Sequence, residues 1–141
     1  MSDPGPRLRT VIIDDDEDIR MLLGLILEQD GRFEVVGDAP DGRAGVSLVK
    51  RERPGGVVVD LDMPILPGRD AVLQIRERVP GAVIAVLSAF ALVPDSVAGA
   101  DATFAKATPG SSEHLRDALV DLARQRGLEW PAWERRGTRR R

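Results

Sequence analysis

A three-layer α/β/α fold around a five-stranded parallel sheet is the architecture that this chain of 141 residues predicts. Three observations carry that reading. Short runs of β-branched and aliphatic residues alternate with longer segments whose apolar residues recur at helical spacing. Runs such as Val57-Val58-Val59 show no polar alternation, as suits a strand buried on both faces of a parallel sheet. Several runs end on a polar or charged residue, and right-handed crossovers bring all such ends to one edge of the sheet.

Residues 1–7 are rich in Pro and Gly and are expected to fray. Arg9-Thr-Val-Ile-Ile13 is a first strand, followed at once by Asp14-Asp15-Asp16-Glu17-Asp18. Ile19, Leu22, Leu23, Ile26 and Leu27 then mark an amphipathic helix. Its acidic first turn suits the positive end of the helix dipole. Asp30-Gly31 closes it, and Phe33-Glu-Val-Val36 makes a second strand. Asp41-Gly42 opens a second helix carrying Val46, Leu48 and Val49, ended by Pro54. The Val57–Val59 strand runs into Asp60. Pro67-Gly68 leads to a third helix with Ala71, Val72 and Ile75 inward, stopped at Pro80-Gly81. Ala82–Leu87 is a fourth strand with Ser88 at its tip. A short apolar piece around Pro94 to Gly99 precedes a fifth strand, Ala102–Ala105, which ends in Lys106. Ser111 or Ser112 can cap a last helix holding Leu115, Leu119 and Leu122, released by Gly127.

Composition narrows the class. Hydrophobic content of 43% and charge of 30% are ordinary for a globular protein. No apolar run approaches the roughly 20 residues needed to span a bilayer, and the amino terminus lacks the basic and apolar regions of a signal peptide. With no cysteine there is neither a disulfide framework nor a thiolate metal site. A cytoplasmic protein without membrane attachment is expected. The net charge of −3 conceals a basic end, where Arg135, Arg136, Arg139, Arg140 and Arg141 face only Glu134. Lysine is confined to Lys50 and Lys106, so a lysine at a strand tip draws notice.

The residues brought to one edge are Asp14, Asp15, Asp60, Ser88 and Lys106. Carboxylates converging without histidine or cysteine make a hard-oxygen site that suits Mg²⁺. A carboxylate beside Mg²⁺ can attack phosphorus and form an acyl phosphate. Lys106 and the Ser88 hydroxyl can then face the phosphoryl oxygens. Each feature alone also fits a solvated helix start, a turn hydroxyl or a surface lysine; the common edge is what joins them.

Four stretches resemble the receiver domains of two-component response regulators, the CheY-like group. Val11-Ile-Ile-Asp14-Asp15-Asp16-Glu17-Asp18-Ile19-Arg20 is similar to the family's first strand and acidic pair. Pro54-Gly-Gly-Val-Val-Val-Asp60-Leu-Asp-Met63-Pro64 resembles the phosphoacceptor strand with its Asp-x-x-Met-Pro signature. Val83-Ile-Ala-Val-Leu-Ser88-Ala89 resembles the fourth strand with its hydroxyl, and Gly99-Ala100-Asp101 followed by Lys106 resembles the approach to the fifth strand and its lysine. Phe33-Glu-Val-Val-Gly37 and Asp41-Gly42-Arg43 are further similar to receivers of LuxR-type regulators, although no helix-turn-helix domain is expected here.

The resemblance implies a flavodoxin-like strand order 2-1-3-4-5, a receiver over residues 8–126 and a tail over 127–141. It implies that Asp60 accepts a phosphoryl group from a histidine kinase or phosphotransfer protein. Asp15 would bind Mg²⁺ directly, Asp14 through water, Asp60 itself and Asp62 through its backbone carbonyl. Lys106 would pair with the phosphoryl group or Asp60, and Ser88 would report phosphorylation. The expected product is a single-domain response regulator that is no enzyme beyond its own phosphorylation and dephosphorylation, with a protein target and a possible homodimer. Nucleic acid is expected at most at the basic tail.

Some positions depart from that family. The interval from Ser88 to Lys106 is short, leaving only Leu92 to Gly99 for a fourth helix that is shortened or irregular. The aromatic usual three places before the lysine is Thr103, with Phe104 one place late and on the other strand face unless a bulge re-aims it. Two other readings stay open: a phosphorylation-independent interaction module, and a phosphohydrolase similar to haloacid dehalogenases, whose Asp-x-Asp is matched by Asp60-Leu-Asp62. Trp130 and Trp133 either pack back on the domain or anchor an interface. His114 is expected at the surface.

Overall fold

The structure, a computed structural model, describes residues 7–63, 65–88, 97–106 and 111–128. The expected short helix from Leu92, the capping side chains of Ser111 and Ser112, and the tail from residue 129 fall outside that description. In the described residues the chain runs β1 (Leu8–Ile13), α1 (Glu17–Gln29), β2 (Phe33–Ala39), α2 (Gly42–Glu52), β3 (Gly56–Asp60), α3 (Gly68–Arg78), β4 (Val83–Ser88), β5 (Ala102–Ala105) and α4 (Ser111–Gln125). The five strands form one parallel sheet in the order β2-β1-β3-β4-β5, as the sequence predicts.

The apolar strands divide their side chains between two cores. Val11, Ile13, Val57, Val59, Ile84 and Val86 meet α2 and α3 through Leu48, Val49, Ala71, Val72 and Ile75. Ile12, Val58, Ala85 and Leu87 meet α1 and α4 through Leu23, Leu27, Leu115 and Leu119. Every residue of β3 and β4 is buried, which explains why these strands carry no polar alternation. The helix starts are chemical. The Asp16 carboxylate accepts the N–H groups of Asp18 and Ile19, and Asp41 accepts that of Ala44.

Three details differ from expectation. Leu22, counted on the inward stripe of α1, is 51% exposed, because Leu23 and Leu27 centre the buried face. Strand β2 runs on to Ala39, past Val36. Its pairing with β1 shifts by one residue between Thr10 and Val11, so Val36 is an extra residue and the edge strand is bulged. β5 pairs with β4 without any shift, Leu87 opposite Phe104 and Ser88 opposite Ala105. No bulge re-aims Phe104, which packs instead with the α1/α4 core and meets His114 edge-on.

A clamp far from the strand tips fixes β5. The Asp101 carboxylate accepts from Arg76 (2.8 Å), from Arg126 (2.7 and 2.9 Å) and from the Ile84 N–H (2.8 Å). Arg76 also donates to the carbonyls of Gly99, Pro80 and Ala82. Burial opposes ionisation of Asp101, but Arg126, the Ile84 N–H and Arg76 outweigh it and hold the carboxyl below its ordinary value.

The turn after β3 is equally constrained. The Gly68 N–H donates to the Leu61 carbonyl at 3.2 Å. A Cβ on Gly68 would stand 2.5 Å from the Asp60 carbonyl oxygen and 2.6 Å from the Leu61 Cα. Both are backbone atoms that cannot swing aside. Gly68→Ala should therefore cost about 1–3 kcal/mol of overpacking in urea unfolding; an unchanged midpoint would show that the turn yields.

Candidate functional site

Parallel pairing puts the functional side chains together. Ile13 lies opposite Val59 and Asp60 opposite Leu87, so the first residue past β1, the last of β3 and the tip of β4 are neighbours. The backbone continues that register: the Lys106 N–H donates to the Ser88 carbonyl (2.9 Å) and the Asp14 N–H to the Ala39 carbonyl (3.1 Å).

At this edge Asp14 and Asp60 are each only 1% exposed, a costly position for two carboxylates. The Lys106 ammonium lies between them, 2.7 Å from Asp14 Oδ2 and 3.1 Å from Asp60 Oδ2. The remaining oxygens are held by backbone: Asp14 Oδ1 accepts the Asp16 N–H (2.9 Å) and Asp60 Oδ1 the Asp62 N–H (3.0 Å). Asp15 is exposed, yet one oxygen from each of Asp14, Asp15 and Asp60 falls within 4.8 Å of the others. Ser88 is buried at the β4 tip, its Oγ 3.5 Å from Asp62 Oδ2. The structure thus gathers all six residues that the sequence nominates.

The electrostatics follow from burial and charge. Burial pushes the Asp60 carboxyl above its ordinary value, and Asp14 adds to the push. The Asp62 N–H and the Lys106 ammonium pull the other way without cancelling it. Burial alone would lower Lys106, but its bonds to Asp14 and Asp60 outweigh that and hold the ammonium above its ordinary value. The donor set is all oxygen, with no cysteine in the chain and the single histidine exposed on α4. It fits a hard divalent cation such as Mg²⁺ and offers nothing to a soft one.

Sequence reasoning assigned no role to Arg20, which donates from Nη1 to the Asp14 carbonyl (2.7 Å) and from Nε to Asp38 (3.1 Å). It thereby ties the start of the acidic loop to α1 and β2. An arginine two residues past the acidic run was the available signal.

Comparison with known proteins agrees with this geometry. The family model described as the response regulator receiver domain matches residues 10–110. A protein-glutamate methylesterase/protein-glutamine glutaminase of Geobacter sulfurreducens is 32% identical over 117 residues, covering 83% of this chain and 31% of that protein. The chain therefore spans about a third of the length of this relative. The signal receiver domain of the putative response regulator NarL from Mycobacterium tuberculosis superposes with a TM-score of 0.71 at 26% identity, over 84% of this chain and 97% of that one. A CheY-like receiver domain protein of Methanospirillum hungatei shares the fold with a TM-score of 0.77 at 24% identity, over 88% and 99%.

Removing the ammonium leaves two buried carboxylates facing each other. Lys106→Met is expected to lower the unfolding free energy at pH 7 by about 3 kcal/mol. A folded-state carboxyl value above the unfolded one means that the native state takes up protons as pH falls. The deficit of Lys106→Met should accordingly shrink between pH 7 and pH 5, and urea unfolding at both values checks this.

Proposed function

The chain belongs to the response regulator receiver family, and from that premise we propose that it is a phosphoryl-accepting signalling domain with Asp60 as acceptor. The observation that carries this reading is the Lys106 ammonium bridging the buried Asp14 and Asp60 carboxylates, with Asp15 in the same group. A carboxylate oxygen of Asp60 attacks the phosphorus of a phosphohistidine on a histidine kinase or phosphotransfer protein. A P–O bond forms, the P–N bond breaks, and the imidazole leaves, its nitrogen taking a proton from solvent. Asp60 becomes an acyl phosphate.

The raised carboxyl value of Asp60 reflects the burial of its charge, to which Asp14 adds. Asp15, Asp60 and the Asp62 carbonyl would hold Mg²⁺ directly and Asp14 through water, and the ion would supply compensating positive charge there. Lys106 follows the phosphoryl oxygens once Asp60 is phosphorylated, and the Ser88 hydroxyl donates to them. The Asp62 N–H keeps the Asp60 side chain aimed out of the sheet edge. In this reading residues 8–126 form the receiver and the chain from 127 a tail. The protein works in the cytoplasm, catalyses only its own phosphorylation and dephosphorylation, and signals by contact with another protein.

One observation favours a different output from the family's usual one. Phe104 packs with the α1/α4 core, and Thr103, opposite Val86, occupies the other strand face. If phosphoryl acceptance fails, the chain is a phosphorylation-independent interaction module. Acetyl phosphate with Mg²⁺ should add one phosphoryl group by intact mass to the native protein and none to Asp60→Asn; no adduct on either would decide for the module. Mg²⁺ at a hundredfold excess over Kd should raise the unfolding free energy by about 2.7 kcal/mol. Asp15→Asn should lose most of that gain.

A further inference from the structure

Helix α1 presents an apolar outer face that the described residues leave uncovered. Met21 is 60%, Leu22 51% and Leu25 57% exposed, three neighbours at i, i+1 and i+4. Beside them lies a groove of about 480 Å³, lined by Met21, Gly24 and Leu25 of α1 and by Val35, Val36 and Gly37 of the bulged edge strand β2. A side chain at Gly24 would meet nothing within 4 Å, so the groove is open there.

The rim of this face is acidic. Glu17, Asp18 and Glu28 are exposed, and no cation among the described residues pairs with them. Arg20, the basic residue of α1, is already engaged by Asp38 and the Asp14 carbonyl. An occupant should therefore combine large apolar side chains with positive charge.

Residues 129–141 have that composition: Trp130 and Trp133, then five arginines against Glu129 and Glu134. They also start nearby. Leu128 packs into the core that contains Leu23 and Leu27 of α1, and α4 itself lies against α1. Thirteen residues reach at most about 47 Å, whereas the thirteen-residue α1 is about 20 Å long. Any point of the face is within range.

We propose that the C-terminal segment 129–141 docks on the outer face of α1, its indoles covering Met21 and Leu25 and entering the groove, its arginines meeting Glu17, Asp18 and Glu28. The docked segment covers α1 against other partners. This contact does not depend on phosphorylation of Asp60.

The chain is its own probe, because both tryptophans lie in the segment and there is no tyrosine. In the chain of residues 1–141 the emission should be blue-shifted, and shielded from acrylamide at least twofold, relative to a synthetic peptide of residues 129–141. Met21→Asp with Leu25→Asp, on exposed positions, should return emission and quenching to those of the peptide with far-UV dichroism unchanged. Should that variant misfold, Glu17→Lys with Glu28→Lys leaves the apolar face intact and should also release the segment. Salt near 1 M, where screening acts within about 3 Å, should weaken the shielding in the native protein. Peptide-like emission in the native protein overturns the proposal, as does shielding that neither variant reduces. Shielding that grows with protein concentration alongside a dimer overturns it too, naming a second copy as the occupant.

Discussion

One ammonium between two buried carboxylates is the constraint around which the fold is arranged. Asp14 and Asp60 cannot both be charged at 1% exposure without a cation, and Lys106 is that cation. The arrangement demands that the ends of β1 and β3 and the residue after β5 reach one point. Parallel pairing provides this for the first two, which are adjacent in the sheet. Lys106 is harder to place, since it follows the four-residue edge strand β5. The rest of the molecule supplies the missing rigidity: a shared register from β4 to β5, and the Asp101 clamp at the far end of the strand.

The sheet and the site were legible for the same reason. Strands buried on both faces must be uniformly apolar, so a carboxylate, hydroxyl or lysine at the end of such a run stands out. What stayed hidden depends on orientation or on distance along the chain. Apolar periodicity marked Leu22 as inward, but a count of apolar residues cannot tell a buried stripe from one that extends round to the solvent side. The extra residue at Val36 needs the partner strand to become visible. Asp101 could be assigned to the approach to β5, yet its partners Arg76 and Arg126 are each 25 residues away and carry no local signature. Arg20 was in plain view two residues past the acidic run and still had no assigned role, because its target is a backbone carbonyl.

The position of Phe104 joins the site to α4. It lies two residues before Lys106 and packs against the core that α4 covers, touching His114 edge-on at a centroid distance of 6.2 Å. Thr103, opposite Val86, occupies the other strand face. Through Phe104 the strand that leads to Lys106 touches the start of the last helix. Lys106 and Phe104, two residues apart, thus meet different surroundings: the one bridges Asp14 and Asp60, the other packs with the α1/α4 core.

The Asp101 clamp gives β5 the mechanics of a short beam pinned at one end. Arg76 ties that pin to α3 and to the loops at Gly99, Pro80 and Ala82, and Arg126 ties it to the end of α4. A load applied at Lys106 would then turn the strand about Asp101 rather than slide it. The last helix, fastened near that pivot through Arg126 and touched by Phe104 closer to the load, would tilt in response. The clamp sets the fulcrum of the lever, and the distance from Asp101 to Lys106 sets its arm.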